Sequence, residues 1–393
     1  MVGASRAIPT RLKRIIENMD ERQRFIAAMC FDQPDKIPLE PGWPRESTLY
    51  AWRQQGLPEG VDWWPYLLGI LDIPVEAFNL PCDLGVDFKM VPAFAEKVLE
   101  HRQGHFVVQD WMGAIVEISD TYDYTYLRTA RDFVTRKWHR FPVQDRRDWV
   151  EKIRWRYDPA GPGRFPPDFA ARCRSLQDRT RVLRMDFNGP FWQLREWCGL
   201  EGLCVLMLEQ PAFVLEMVEF WTDFLLQMLD QVLGHLTPDH VQVSEDMAYK
   251  LHAMISPAMI RRFLLPAWEQ WIAALKRAGC PVVTIDSDGY IGELIPLWIE
   301  AGFAGTWPVE VAAGNDLAEY RQIYGRQMAY GGGVDKRALA AGGKVMQQEL
   351  RRLEPVIQSG GYIPGCDHGV PPDISWPNYV EYTRLLAKLT GWL

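Results

Sequence analysis

PVVTIDSDGY, at Pro281–Tyr290, is the stretch that decides the fold prediction, because it joins a strand signal to an acidic tip. The β-branched run Val282–Ile285 predicts a short buried strand. Asp286 and Asp288 follow, and side chains two residues apart at a strand end point to the same side. After a glycine turn, Ile291–Ala301 has the pattern of an amphipathic helix. Such a βα unit is typical of a parallel sheet with functional residues at its carboxyl edge.

The same acids also fit an interpretation that needs no function. Asp288 would then satisfy the first amides of the following helix within an Asx turn. The functional interpretation therefore depends on whether other strand ends repeat the acidic pattern.

Strand and helix signals alternate through the C-terminal part of the chain. The strand-like segments are His240–Ser244, Pro281–Ile285, Phe303–Trp307, Gln327–Tyr330 and Gly361–Ile363. The helix-like segments are Pro257–Ala278, Ile291–Ala301, Asp316–Tyr324, Ala338–Ser359 and Trp376–Leu389. This alternation predicts a parallel sheet and favours a closed (β/α)₈ TIM barrel. A doubly wound open sheet is the alternative, and it is disfavoured because no GxGxxG motif follows the first strand.

The N-terminal half carries weaker signals. The predicted elements are a helix at Met19–Met29 capped by Asp20, a strand at Ile37–Glu40, a helix at Thr48–Gln55, a hairpin at His105–Ser119 and a strand at Arg181–Asp186. Gly199–Leu233 is predicted to be helical with a break at Pro211. We expect one domain over residues 1–393, with an N-terminal helical extension over 1–36 and an excursion over 105–170.

Composition narrows the class of protein. A net charge of −8 without any Lys/Arg block argues against nucleic acid binding. No apolar run reaches membrane-spanning length and the N-terminus lacks a signal-peptide core, so a cytoplasmic location is expected. The seven cysteines include no CxxC pair, which indicates neither a disulfide framework nor a zinc ribbon.

Polar side chains follow each of the predicted strands, where a barrel would bring them to one mouth. They are Glu245, Asp246, Tyr249, Lys250, Asp286, Asp288, Glu310, Lys336, Cys366 and His368. Closely placed carboxylates raise one another's pKa or bind a cation, and a thiolate with an imidazole suits zinc. Two simpler interpretations stay open: Asp246 and Lys250 could form only an i,i+4 helix pair, and His368 could only order a turn.

Several motifs resemble the uroporphyrinogen decarboxylase superfamily. They are RQRFIAAMCFDQPDKIP at Arg22–Pro38, FNGPFWQLREWCGLEGL at Phe187–Leu203, ISPAMIRRFLLPAWEQW at Ile255–Trp271, GTWPVEVAAGNDL at Gly305–Leu317 and GGGVDKRALAAG at Gly331–Gly342. The resemblance implies a (β/α)₈ barrel and a homodimer. It also implies either a tetrapyrrole decarboxylase or a methyltransferase acting on corrinoid proteins or coenzyme M.

The positions at which this chain differs from the family's motifs indicate which branch of the family it resembles. Pro41–Arg53 offers only Arg45 and Arg53 where the decarboxylases carry an arginine-rich propionate loop, which argues against tetrapyrrole decarboxylation. In the methyltransferases an HxCG strand end and a later cysteine bind zinc. Asp286 and Asp288 occupy the first two of those positions here, and Cys366 matches the third. The resemblance therefore implies a metal site of these three residues, with Zn²⁺ as the expected ion.

The resulting prediction is a methyltransferase that moves a methyl group from a small O- or N-methylated substrate to a corrinoid (cobalamin) protein. Glu245, Asp246, Asp286, Asp288 and His368 would activate the leaving group. The substrate would contact Trp43, Phe187, Asn188, Phe191, Trp192, Tyr249, Lys250, Trp307, Glu310 and Lys336. The alternatives are a decarboxylase or lyase of a small carboxylic acid, and a non-catalytic tetrapyrrole or corrinoid binding protein.

Overall fold

The computed structural model describes residues 18–74, 80–130, 132 and 134–393. Residues 1–17 of the predicted N-terminal extension lie outside the described residues. Helix α1 (Glu21–Met29) lies in the described part of that extension, and it confirms the predicted helix. Asp20 caps it by accepting a hydrogen bond from the Gln23 amide, while the Gln23 side chain accepts one from the Asp20 amide.

A six-stranded parallel sheet forms the centre of the chain, in the order β10-β9-β8-β7-β6-β5. Its strands are β5 (Arg184–Asn188), β6 (His240–Ser244), β7 (Val282–Asp286), β8 (Gly305–Trp307), β9 (Ala329–Val334) and β10 (Tyr362–Cys366). Ser244 lies opposite Asp286 and Asp286 opposite Trp307, so the carboxyl ends of neighbouring strands are level. The predicted parallel α/β architecture is confirmed.

Helices alternate with these strands along the chain. Those before β5 are α1, α2 (Glu46–Arg53), α3 (Trp63–Leu71), the short turn α4 (Arg146–Asp148) and α5 (Phe169–Ser175). Those after β5 are α6 (Pro190–Cys198), α7 (Leu200–Glu209), α8 (Pro211–Leu233), α9 (Pro257–Phe263), α10 (Leu265–Arg277), α11 (Ile295–Ala301), α12 (Leu317–Tyr324), α13 (Lys336–Ala341), α14 (Gly343–Gln358) and α15 (Trp376–Thr390). In the described part of the chain, no helix is long and apolar enough to cross a membrane.

Both edges of the parallel sheet continue into irregular segments rather than regular strands. Cys82 forms an isolated parallel bridge with Leu183 beside β5. At the other edge, the Cys366 amide donates to the Pro41 carbonyl, and Pro44 bridges to Val370. The predicted strand at Ile37–Glu40 therefore forms no regular ladder. These edges are consistent with a TIM barrel, whose closure stays a prediction.

The two faces of the sheet bury different clusters because side chains alternate along each strand. Near the amino ends, the inner face carries Val282, Ala329 and Ile363, which pack under Phe25 and Met29 of α1. The outer face packs against the surrounding helices through residues such as Val283, Ile285 and Tyr330. Helix α1 thus closes the amino end of the inner face and leaves the carboxyl edge free for a site.

A second sheet of four antiparallel strands forms the excursion. Its strands are β1 (Lys97–Arg102), β2 (His105–Gln109), β3 (Ile115–Ser119) and β4 (Lys137–Arg140). The β2–β3 pair confirms the hairpin predicted at His105–Ser119. The sheet begins at Lys97, before the predicted start at residue 105, and has a small core of its own around Val108 and Val116.

Candidate active site

The carboxyl edge of the parallel sheet opens into a cavity of about 1270 Å³. We call it the mouth cavity. One side is formed by the residues that follow the strands, among them Trp192, Asp246, Asp288 and Glu310. The other side is formed by the antiparallel excursion, whose lining residues include Trp111, Arg128, Arg136, Trp138 and Phe141. The excursion therefore overhangs the strand ends instead of extending away from them.

Asp246 holds a strained position at the floor of the mouth cavity. Its backbone has a φ of 38°, a left-handed value that is uncommon outside glycine. Arg195 stabilises the turn by donating to the Asp246 carbonyl at 2.9 Å and to Oδ2 at 3.2 Å, and Oδ1 accepts from the Asp288 amide. Burial and the charge of Asp288 raise the pKa of Asp246. The predicted i,i+4 alternative with Lys250 is wrong, because no helix forms there.

Asp288 and His368 form an ion pair at this floor, with Nε2 of His368 3.1 Å from Oδ2 of Asp288. Arg45 approaches the ring from the other side, and its Nη2 lies 3.3 Å from Nδ1. The hydrogen bond and charge of Asp288 raise the pKa of His368. The structure thus brings together two of the predicted catalytic residues from strand ends 80 positions apart in the chain.

Glu310 and Lys336 form a second pair beside the first. Lys336 Nζ donates to Glu310 Oε1 at 2.6 Å, and Glu310 Oε2 accepts from the Gly289 amide at 3.2 Å. Asp367 is fully buried beneath them and accepts from the amides of Val311 and Lys336. Glu310 lines the mouth cavity, so this pair ties three strand ends together at its floor.

Asp286 lies below Asp288 on the inner face of the sheet. Its Oδ2 accepts from Gln242 Nε2 at 2.7 Å, and Gln242 Oε1 accepts in turn from Arg184 at 3.0 Å. Burial, followed by the charges of Asp288 and Asp246, raises the pKa of Asp286 to about 7. An acid with such a pKa is close to half protonated at neutral pH and can donate or accept a proton.

A second cavity of about 480 Å³ lies deeper, on the inner face of the sheet. It shares Glu40, Trp43, Arg184 and Trp307 with an adjoining space of about 190 Å³, which Gln242 also lines. We call the two together the inner cavity. Its floor includes Glu21 and Phe25 of helix α1, and its wall reaches the protein surface at Trp43 and Leu80.

Glycine creates the space that Trp307 occupies in the inner cavity. A Cβ atom at Gly331 would lie 2.0 Å from the Trp307 ring, a distance that no side chain tolerates. The indole of Trp307 on β8 therefore lies across Gly331 on β9. The glycine run after Tyr330 belongs to the strand itself and makes room for an aromatic wall.

A smaller cavity of about 260 Å³ links the other two and is called the middle cavity. It shares Asp186 with the inner cavity and Glu196 with the mouth cavity. Glu196 accepts hydrogen bonds from Trp192, Asn188 and Gln193, and burial raises its pKa to about 7. Shared lining residues therefore make the three cavities neighbours, in a series from the mouth to helix α1.

The structure places Glu245 away from all three cavities. It is completely buried, and its two oxygens accept hydrogen bonds from the Trp192 amide at 3.0 Å and from Trp268 Nε1 at 2.7 Å. Burial raises its pKa to about 8. The prediction of a catalytic Glu245 is corrected here to a structural one, because the carboxyl group satisfies the first turn of α6.

Cys366 does not join the predicted metal ligands. Strand β10 ends at Cys366, and alternation from Ile363 turns the Cys366 side chain towards the core near Tyr379 and Tyr382, at the edge of the space of about 190 Å³ in the inner cavity. Burial and the charge of Asp367 raise the pKa of this thiol to about 12, so it is protonated at neutral pH. Among the described residues, no three His, Cys, Asp or Glu side chains are arranged to hold a metal ion. The residues present therefore do not fit the expected Zn²⁺.

Cys366→Ser is accordingly expected to retain activity within about threefold of the parent, because this thiol packs at the edge of the inner cavity and forms no ligand bond, and serine is close to it in size. Metal content of protein purified without chelators should be the same for both forms. The matched control is Cys198→Ser, another buried thiol remote from the strand ends. A selective loss of zinc together with activity in Cys366→Ser would restore the metal site.

The predicted substrate-binding residues divide among the cavities. Trp43 and Trp307 line the inner cavity, and Phe187 and Asn188 line the middle one. Those that line the mouth cavity are Trp192, Tyr249, Lys250 and Glu310. Lys336 reaches the floor only through Glu310, and Phe191 is wholly buried in the core, so it cannot contact a substrate. The prediction that Phe191 contacts the substrate is therefore wrong.

Several residues of the site were not predicted. They are Glu21, Arg45, Arg184, Asp186, Arg195, Glu196, Gln242 and Asp367. Two predicted strands carry polar residues at alternate positions, namely Arg184, Asp186 and Gln242. This pattern in a buried strand could have indicated a polar cavity on one face of the sheet. Arg45 and Arg195 are on helices remote in sequence, and nothing local in the chain indicates their partners.

The chain matches a known protein family, and it shares its fold with solved structures. The sequence profile of the uroporphyrinogen decarboxylase (URO-D) family matches residues 188–386, which is half of the chain. A solved methyltransferase from Methanosarcina mazei has a similar fold, with a TM-score of 0.52 and 11% sequence identity. The similarity covers 95% of this chain and 99% of that one, and at this identity it concerns the fold alone. No curated protein sequence matches the chain significantly.

Proposed function

Since the chain belongs to the uroporphyrinogen decarboxylase family, we propose that it transfers a methyl group from a small O- or N-methylated substrate to a corrinoid carried by a partner protein. The solved protein of similar fold is a methyltransferase, which supports this direction. The chain would then be the demethylating component, and the corrinoid protein its second substrate.

The observation that carries this proposal is that Asp286 is flanked by one residue of the inner cavity and one residue of the mouth cavity. Gln242, which binds its carboxylate, lines the inner cavity, and Asp288, two residues on, lines the mouth cavity. A methylated substrate in the inner cavity and a corrinoid at the mouth would meet at this acid. Proximity of two reactants at a positioned acid is a large part of what an enzyme supplies.

The mouth cavity fits a large flat cosubstrate. Its volume of about 1270 Å³ exceeds that of an ordinary small-molecule pocket, and Trp111, Trp138, Phe141 and Trp192 supply apolar contact area. When bound, a reduced Co(I) corrinoid supplies the electron pair that takes the methyl group. This explains why the described cavities need no nucleophilic side chain of their own.

The residues of the chain would assist the leaving group. As the bond from the methyl carbon to oxygen or nitrogen breaks, its electron pair stays on that atom, and a proton from Asp286 neutralises the negative charge that an ether or a neutral amine would leave. Burial and the negative charges of Asp288 and Asp246 raise the pKa of Asp286 and keep it partly protonated near neutral pH. His368, held by Asp288 and Arg45, can return the proton at the mouth.

Incubation of the purified chain with a Co(I) corrinoid and a panel of methoxylated arenes and methylated amines tests the proposal. We expect the Co(I) absorbance to decay to that of the methylated corrinoid with at least one donor, and at least 100-fold faster than without protein. Absence of this change with every donor would remove the proposal. Carbon dioxide release from a small carboxylic acid without corrinoid would instead establish a lyase, and visible absorbance without turnover a binding protein.

A further inference from the structure

We propose that the inner cavity binds an uncharged, hydroxylated aryl methyl ether, and that it excludes aromatic substrates bearing a carboxylate. This inference rests on the proposed function and narrows its substrate class. It is carried by three independent features of the cavity: its aromatic walls, a pair of its carboxyl groups and the absence of an available cation among its described lining residues.

The first feature is the shape of the walls. The cavity holds about 480 Å³, within the range of pockets for small organic ligands. Phe25, Trp43, Phe88 and Trp307 line it, and Trp307 is held across Gly331. Rings on several sides favour a flat aromatic ligand, because offset and edge contacts between rings add to the burial of apolar area.

The space is accessible although it lies on the inner face of a parallel sheet. The Arg184 side chain keeps 35% of its exposure and that of Asp186 keeps 48%. Barrel interiors are normally filled by packed side chains, and these two strand residues would be covered in such a core. The exposure of both shows that the sheet leaves room for a molecule at this point.

The second feature is a pair of carboxyl groups, one of which has a buried oxygen that lacks a donor. Glu21 Oε2 is buried without a hydrogen-bond partner among the described residues. Glu40 lines the same cavity, and burial raises the pKa of each carboxyl group to about 7. At neutral pH one protonated and one ionised carboxyl group can together donate to and accept from a hydroxyl, which is the pattern that a phenol presents.

The third feature is the balance of charge. Four acidic residues, Glu21, Glu40, Asp83 and Asp186, line the cavity, and Arg184 is the lone arginine or lysine among its described lining residues. Arg184 already donates to both oxygens of Asp186 and to Gln242. A substrate carboxylate would therefore enter beside other carboxylates without a free cation to pair with, at a large electrostatic cost.

The chemistry at Asp286 selects an ether over an ammonium ion. Cleavage of an ether leaves an alkoxide or phenoxide, which needs the proton that Asp286 can supply. Cleavage of a methylammonium ion leaves a neutral amine, which needs none. Asp286, which Gln242 holds, would therefore assist the cleavage of an ether in the inner cavity and would not assist the cleavage of a methylammonium ion.

Direct binding of three ligands that share one ring tests the inference without corrinoid or turnover. They are 2-methoxy-4-methylphenol, 4-hydroxy-3-methoxybenzoate and 4-hydroxy-3-methoxybenzylammonium, with charges of 0, −1 and +1. Isothermal titration at pH 7 should show binding of the neutral phenol and at least tenfold weaker binding of the benzoate. Equal affinity for the benzoate, no binding of the phenol, or a benzylammonium affinity more than tenfold above that of the phenol would overturn the inference.

Variants locate the binding in the inner cavity. Trp307→Leu should weaken phenol binding at least tenfold, and Glu40→Gln should reduce the discrimination against the benzoate. The matched control is Glu209→Gln, which changes an exposed glutamate at the end of α7 and should alter neither value. If circular dichroism shows that Trp307→Leu is misfolded, Trp43→Leu replaces it on the opposite part of the wall. Unchanged affinity in the folded wall variant would remove the site.

The outcomes also separate this inference from the proposed function. Phenol binding without methyl transfer to any corrinoid would remove the function and leave the ligand class standing. Methyl transfer from amines alone, with no phenol binding, would support the proposed function and remove the inferred ligand class.

Discussion

Asp286→Asn is expected to lower kcat for methyl transfer by about 100-fold or more, with little change in the affinity for the methylated substrate. General acid catalysis contributes roughly 10²–10⁴-fold, and the amide cannot supply the proton that the leaving oxygen needs. The hydrogen bond to Gln242 can be kept by the amide oxygen, so the fold should survive. Initial rates with the Co(I) corrinoid and circular dichroism measure the two effects.

The pH dependence of kcat tests whether Asp286 is the acid. Asp286 must be protonated to act, so kcat of the parent should fall as the pH rises through about 7. In Asp288→Asn the loss of a neighbouring negative charge lowers the pKa of Asp286, and the falling limb should move to lower pH. Asp373→Asn, at an exposed turn, is the matched control. Full activity in Asp286→Asn, or a limb that stays in place in Asp288→Asn, would show that the acid lies elsewhere.

The second large effect concerns stability. Glu245→Ala should lower the free energy of unfolding by about 3 kcal/mol, because it leaves a cavity and two buried donors, the Trp192 amide and Trp268 Nε1, without an acceptor. Urea denaturation followed by tryptophan fluorescence measures this change. Activity at low temperature should persist in the folded fraction, since Glu245 is completely buried and both of its oxygens are occupied by the Trp192 amide and Trp268 Nε1.

Two control variants test whether the loss of stability in Glu245→Ala comes from the lost hydrogen bonds. Glu245→Gln keeps one acceptor oxygen and should lose less stability than the alanine variant. Glu209→Ala removes an exposed glutamate from α7 and should change the free energy of unfolding by no more than about 0.5 kcal/mol. A stable Glu245→Ala protein with abolished methyl transfer would instead return Glu245 to a catalytic role.

The order of strands and helices could be predicted because it depends on local patterns. The predicted strand His240–Ser244 is identical to β6, and the helical break at Pro211 separates α7 from α8. Asp286 and Asp288 were predicted to share a site for the same reason, since a strand fixes which side its end residues face. The closure of the sheet depends on irregular edge segments, which carry no such pattern.

The error at Cys366 has a physical cause in the last two strands. They extend through GGGV to Val334 and through PGC to Cys366, beyond the predicted ends at Tyr330 and Ile363. Glycine and proline disfavour strands, so local propensity ends both too early. Once Cys366 is counted as part of β10, alternation puts it on the outer face. Pairing with the neighbouring strand extends β10 to Cys366 and so decides the face on which its side chain lies. Local sequence does not reveal this pairing.

The ion pairs at the mouth could not be predicted residue by residue. Arg195 meets Asp246 and Arg45 meets His368 only because helix α6 ends and helix α2 begins near the strand tips. Glu40 is predicted to end a strand, and the structure makes it part of the inner cavity. Each of these depends on which face of an element is turned inward, a property of packing between distant segments.

The surface opening of the inner cavity at Trp43 and Leu80 is separate from the mouth beneath the antiparallel sheet. If the proposed methyl transfer takes place between these openings, the two substrates need not bind in a compulsory order. The methylated donor could enter or leave through the side opening while a carrier protein covers the mouth, and a carrier could dock on a chain that already holds its donor. Turnover would then be governed by how often the two visitors are present together, and neither would have to wait for the other to leave.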